Sequence, residues 1–165
     1  MNWDAIGAVS ELVGALAVVI TLIYLALQIR QNTRAVRLDT GHAITEEFRS
    51  MFALMAEHKE LAELVHAAAA DPSAISGVEK VRYYGLNGNF MRAIENAYIQ
   101  WSEGALDLRH WEGMKRMVCD YAQLPGFQEF WSDRKHWFSE DFQRFMDTDI
   151  FATDHKVEVP LPGEY

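Results

Sequence analysis

Apolar and polar residues are distributed unevenly along this chain. Ala5 to Ile29 reads AIGAVSELVGALAVVITLIYLALQI, with Glu11 as its only charge. From Leu12 to Leu27 the only polar groups are the hydroxyls of Thr21 and Tyr24. About 20 mostly apolar residues are enough to carry a helix across a bilayer, so this stretch predicts a transmembrane helix. A cleavable signal is a poor alternative. The N-terminus, MNWD, holds no Lys or Arg, and the apolar run is followed by RQNTRAVR rather than a small-residue cleavage site.

Charge then orients the helix. Arg30, Arg34 and Arg37 lie on one flank, whereas the other flank has Asp4 and the terminal amine. The positive-inside rule places the C-terminal side in the cytoplasm and the N-terminus outside, with Trp3 suited to the outer interface. Within the span, Gly7, Ser10, Gly14, Ala17 and Thr21 recur at steps of three and four, with Tyr24 and Gln28 continuing the line. Small residues on one helix face allow close approach of a second transmembrane helix, so this row is the expected seam of a homo-oligomer. Glu11 neighbours it. The acid is either an intramembrane functional group or a residue of the outer headgroup layer, because Leu12 to Ile29 already spans roughly 27 Å.

After Arg37 the period changes. The membrane helix is expected to continue as a stalk until Gly41. A new helix then begins at His42, with Ile44, Phe48, Met51, Phe52 and Met55 on its inner face. A short helix with Leu61, Leu64 and Val65 inward ends at the Asp71-Pro72 turn. Ser76 and Glu79 form a capping-box pattern that opens a long helix from Gly77 to about Glu103. Its apolar face holds Tyr83, Phe90, Ile94, Tyr98 and Trp101, and Gly104 terminates it. Asp107 caps a helix that buries Trp111, Met114, Val118 and Tyr121, and Leu124-Pro125-Gly126 breaks the chain. An aromatic helix follows, and Ser139 caps a last one with Phe142, Phe145, Met146 and Ile150 inward. No Val/Ile/Thr alternation suggests a sheet. The prediction is an all-α protein: a transmembrane anchor and stalk over 1–37, a helical cytoplasmic domain of five or six helices over 38–153, and an irregular tail over 154–165.

Residues 38–165 hold 12 Lys and Arg against 22 Asp and Glu, a net charge of −10 with His neutral. Such a domain repels phosphate backbones and anionic lipid, which argues against nucleic-acid binding. Cys119 is the only cysteine, so no intramolecular disulfide can form, as suits a reducing cytoplasm. Its neighbours in MKRMVCDY favour a structural role over a reactive thiol.

Familiar catalytic motifs are absent: there is no P-loop, no Gly-x-Ser-x-Gly and no His-Glu-x-x-His. An acid does precede a histidine by three residues at Asp39/His42, Glu63/His66, Asp107/His110 and Asp133/His136. Paired Glu-x-x-His motifs hold di-metal centres in helical bundles, but only Glu63/His66 has that form here, and two are required. Glu63 and His66 are therefore weak metal candidates, and neither a metal nor a cofactor is expected. The polar row Asn89, Arg92, Asn96 and Gln100 on the long helix is the expected face for a ligand or protein partner.

Three stretches carry a resemblance: residues 2–37, ENAYIQWSEGALDLRHWEG at 95–113, and Leu124-Pro125-Gly126 through FWSDRKHWFSEDFQRF to Phe145. Together they resemble a family of uncharacterised bacterial proteins with a single N-terminal span. The resemblance implies a bacterial inner-membrane protein with a helical cytoplasmic domain, and no activity to carry over. The leading expectation is thus a membrane-anchored, homo-oligomeric binding or scaffold protein in contact with the lipid bilayer. A pore formed by the N-terminal helices, with Glu11 ringing its mouth, is the alternative; a tethered helical metalloenzyme is the third.

Overall fold

Residues 3–152 are described by the computed structural model, except for the side chains of 3–10, 12, 13 and 34; every regular element among them is helical and none is a strand. The elements are α1 (Trp3–Glu57), α2 (Lys59–Ala70), α3 (Gly77–Ser102), α4 (Leu108–Tyr121), α5 (Pro125–Arg134) and α6 (Glu140–Phe145). Short 3-10 turns occupy Pro72–Ala74 and Lys135–Trp137, and a π-helical turn, Met146–Ile150, extends α6. The tail expected over 154–165 lies outside the described residues. The chain divides into two compact units, Met1–Asp39 and Thr40–Tyr165.

Gly41 does not break the chain as the sequence suggested, because α1 passes through it without interruption. No proline or left-handed residue forces a stop there, and one glycine costs a helix only about 1 kcal/mol. Gly41 lies instead against α4: a β-carbon there would sit 3.4 Å from the imidazole Cε1 of His110, at contact distance. Beyond it, Ile44 and Phe48 are buried as their spacing predicts, whereas Phe52 is 43% exposed at the edge of a groove.

The helix ends follow their local chemistry. Asp107 accepts the Arg109 backbone N–H at 2.9 Å and also pairs with the Arg109 guanidinium. The guanidinium and that N–H hold the Asp107 carboxyl down to about 2. Gly104, at φ +74°, turns the chain after α3, and the N–H groups of Ala105 and Leu106 return to the Gln100 carbonyl. The Ser76/Glu79 capping box does not close. Gly77 enters α3 at φ +55°, a left-handed geometry at the first helical residue, and the Ser76 side chain makes no capping bond. Leu124-Pro125-Gly126 starts α5 directly, with proline in the first turn where its missing N–H costs nothing.

Helix α3 forms the centre of the second unit. It buries Tyr83, Phe90, Ile94 and Ala97 along one row and Tyr84, Met91 and Glu95 along another. Aromatic rings fill the surrounding space. Phe127, Phe130 and Phe142 are fully buried, and Trp131 stacks on Phe138 with centroids 5.6 Å apart. Gly126 permits a close helix approach, since a β-carbon there would lie 2.0 Å from the Ala68 carbonyl oxygen on α2. Cys119 is buried, and desolvation raises its thiol pKa.

Candidate functional site

Among the described residues, the apolar stretch of α1 is exposed. Leu16, Val18, Ile20, Ile23, Leu25 and Ile29 are 45–66% exposed, whereas the apolar residues of the second unit's core are at 9% or less. By length and composition this is a helix able to cross a membrane. Of the expected seam, Gly14, Ala17 and Thr21 are exposed, and a β-carbon on Gly14 would meet nothing within 4 Å. The side chains of Gly7 and Ser10 lie outside the described residues. Thr21 donates its hydroxyl to the Ala17 carbonyl at 2.8 Å, so its polarity is satisfied inside the helix. Glu11 is exposed.

The polar row on α3 is not one continuous site. Asn89 lies at the edge of an apolar groove. Asn96 and Gln100 are joined to each other, the Gln100 amide donating at 3.2 Å. Arg92 is occupied within the fold. Its guanidinium pairs with Glu95, donates to the Trp137 carbonyl at 3.1 Å, and stands 4.9 Å over the Phe138 ring.

Glu95 and Asn87 are buried polar residues of α3 that periodicity missed; Asn87 donates to the Tyr83 carbonyl at 2.9 Å, and Glu95 reaches further. It is 4% exposed and accepts the Ser139 backbone N–H at 2.7 Å as well as the Arg92 guanidinium. The pair ties the middle of α3 to Ser139, the residue that precedes α6, and the carboxylate meets the donor-rich N-terminus of that helix. An acid four residues after Met91 and three before Tyr98, on a face otherwise apolar, was the signal available in the sequence.

The acid–histidine pairs separate into other roles. Asp107 caps α4. Asp133 accepts the Tyr84 hydroxyl at 2.8 Å, and Glu63 pairs with Lys59 at 3.0 Å on the surface. His66 and Asp39 are exposed. Among the described residues, no three His, Cys, Asp or Glu side chains converge in a metal-binding geometry. Tyr84 also lies within 3.3 Å of Glu129, which Lys80 engages, so this polar cluster fastens α3 to α5.

Among the described residues, two concavities of the second unit are lined by aromatic rings. One is a narrow apolar groove of about 70 Å³ between the end of α1 and α3, lined by Phe48, Met51, Phe52, Met55, Leu86 and Phe90 among others. The second is an open depression of about 700 Å³ between α4 and α6. Its floor holds Trp101 stacked on Trp111 at 5.2 Å and Tyr98 stacked on Phe145 at 4.7 Å. Glu112, Lys115, Asp141 and Arg144 rim it with both signs of charge, and Arg144 is paired with Asp141 at 3.2 Å. In this depression the Thr148 hydroxyl donates to the Asp149 carboxylate at 2.8 Å and to the Arg144 carbonyl at 2.9 Å. The chain matches no family model, no curated protein and no solved structure.

Proposed function

We propose that this protein is a membrane-anchored, homo-oligomeric binding or scaffold module. Its α1 helix crosses the bacterial inner membrane with the N-terminus outside, and its helical domain lies in the cytoplasm. The observation that carries this reading is the unbroken exposure of the apolar stretch. Leaving Leu16 to Ile29 in water is costly at about 25 cal/mol per Å² of apolar surface, and lipid removes that cost. Orientation rests on Arg30, Arg34 and Arg37 following the span, and the bacterial setting on the family resemblance. A binding role is supported by the apolar groove beside Phe48 and Leu86 and by the aromatic-floored depression between α4 and α6, on a strongly acidic domain. Self-association through Gly14, Ala17 and Thr21 is driven by close packing, because lipid tails solvate an apolar helix as well as a partner helix does.

Two measurements test this. The full chain should float with liposomes and resist alkaline carbonate, whereas recovery in the carbonate supernatant would overturn the anchor. Gly14→Leu should lower the oligomer order in mild detergent without affecting membrane retention. An unchanged oligomer would remove the seam.

A further inference from the structure

The depression between α4 and α6 brings together aromatic rings and polar groups that the fold leaves without partners. Trp101 is half-buried there, and its indole lies nearly parallel to that of Trp111, with 16° between the planes. Tyr98 stands 5.8 Å from Trp111, and Leu108, which also lines the depression, is 55% exposed. Trp111 is 2% exposed, yet among the described residues its indole N–H donates to no acceptor. Buried tryptophan N–H groups ordinarily find one. The Trp101 N–H and the Tyr98 hydroxyl are likewise unpaired among the described residues.

The charges beside these rings decide the ligand. Arg144 is neutralised by Asp141 at 3.2 Å, and Asp149 accepts the Thr148 hydroxyl. Lys115 differs. Of the five charged residues that line the depression it alone is half-buried, and among the described residues it forms no ion pair, although Glu112 lies one turn before it on α4. Its ammonium stands 5.6 Å from the centroid of the Phe145 ring. An ammonium and an indole N–H can only donate, so what is left to a ligand is chiefly donors, one of them cationic, beside flat apolar surface. Glu112, Asp141 and Asp149 oppose a second negative charge, which disfavours phosphate esters and other dianions. The acidic excess of the whole domain is screened beyond about 10 Å at ordinary salt, so Lys115 dominates at short range. At about 700 Å³ the depression falls within the roughly 300–1,000 Å³ of small-molecule sites.

From this geometry we infer that the depression between α4 and α6 is a binding site for a planar aromatic monocarboxylate. The ring of the ligand lies against Trp101 and Leu108. One carboxylate oxygen accepts a charge-assisted hydrogen bond from the Lys115 ammonium, and the other accepts from an indole N–H. The inference rests on the reading of this chain as a binding module, and it names the site and the ligand class.

The test is calorimetric titration of the full chain in phosphatidylcholine nanodiscs at neutral pH, with empty nanodiscs as background. Three probes share one ring system and differ in charge: 2-naphthoate, 2-naphthamide and 2-naphthylmethylammonium. Saturable binding of 2-naphthoate should be about tenfold or more tighter than that of either other probe, the gain expected of a hydrogen bond to a charged group. Lys115→Gln, which breaks no ion pair, should bring 2-naphthoate down to the level of the amide. Leu108→Glu, at an exposed position in the first turn of α4, should weaken 2-naphthoate about tenfold by like-charge repulsion, and both variants should keep the helical circular dichroism of the parent. No saturable binding of 2-naphthoate, equal binding of the three probes, or a Lys115→Gln protein that binds as the parent does would overturn the inference. So would tighter binding of the ammonium probe, which would make the carboxylates rather than Lys115 the recognising groups. A chain that inserts into nanodiscs but ignores 2-naphthoate refutes this site alone. A chain that binds 2-naphthoate but fails to insert refutes the anchor alone.

Discussion

Substituting Gly126 by alanine adds one methyl group at the point where α5 crosses α2. The new carbon would stand 2.0 Å from the Ala68 carbonyl oxygen, 2.8 Å from its carbonyl carbon and 2.8 Å from the Tyr83 hydroxyl. The obstacle is backbone rather than the end of a flexible side chain, so the helices must separate by about 1 Å, and a gap of that size forfeits a quarter to a half of a van der Waals contact. Ala68, Ala69, Tyr83 and Phe127 pack at this crossing and are each at most 3% exposed. Burying a large apolar side chain contributes about 1.5–3 kcal/mol, so the combined loss is about 3 kcal/mol, at the upper end of ordinary overpacking. Denaturant unfolding of the full chain in mild detergent, followed by tryptophan fluorescence, measures it. Gly85→Ala and Gly113→Ala are the controls. Both glycines are helical with nothing within 4 Å of an added β-carbon, and each substitution should stabilise by about 0.5–1 kcal/mol. A Gly126→Ala protein within 1 kcal/mol of the parent would refute the close approach of α2 and α5.

Two further outcomes follow from the polar groups of the core. Glu95→Ala removes the acceptor of the Ser139 N–H and the partner of Arg92. It should cost about 2–3 kcal/mol in the same assay, discounted from a fully buried pair because Arg92 reaches solvent. Glu95→Gln keeps an acceptor and should cost about half as much; equal effects of the two variants would show that the Ser139 bond contributes nothing. Burial pushes the Tyr83 hydroxyl up to about 12, above its unfolded value of about 10. Its neutral form therefore contributes stability that is present in full below pH 10 and lost as pH rises towards 12. Chemical denaturation between pH 9 and 12 should show that loss, and Tyr83→Phe should reduce it; identical pH profiles would rule the group out.

Much of the helical organisation was legible because periodicity reports directly on burial. The Asp107 cap, the Gly104 terminus and the inward row Phe142, Phe145, Met146 and Ile150 all follow from local rules. Local rules failed where tertiary contact decides. Gly41 reads as a breaker, but it lies helical against His110. Ser76 and Glu79 read as a capping box, which the left-handed Gly77 leaves open. The site was less legible than the fold. Asn89, Arg92, Asn96 and Gln100 share a helix face, yet the guanidinium of Arg92 is engaged by Glu95, a partner that spacing alone does not identify. The groove was invisible for the same reason, since its walls come from α1 and α3 and their meeting is a long-range property.

In the proposed reading, α1 fixes this chain in a membrane with its helical domain on the cytoplasmic side. Membrane-impermeant thiol labelling of intact cells addresses it most directly. In a Cys119→Ala background, Asn2→Cys should react from outside, while Glu103→Cys, exposed at the end of α3, should react only after permeabilisation. Labelling of Glu103→Cys in intact cells, or of neither position before permeabilisation, would contradict it.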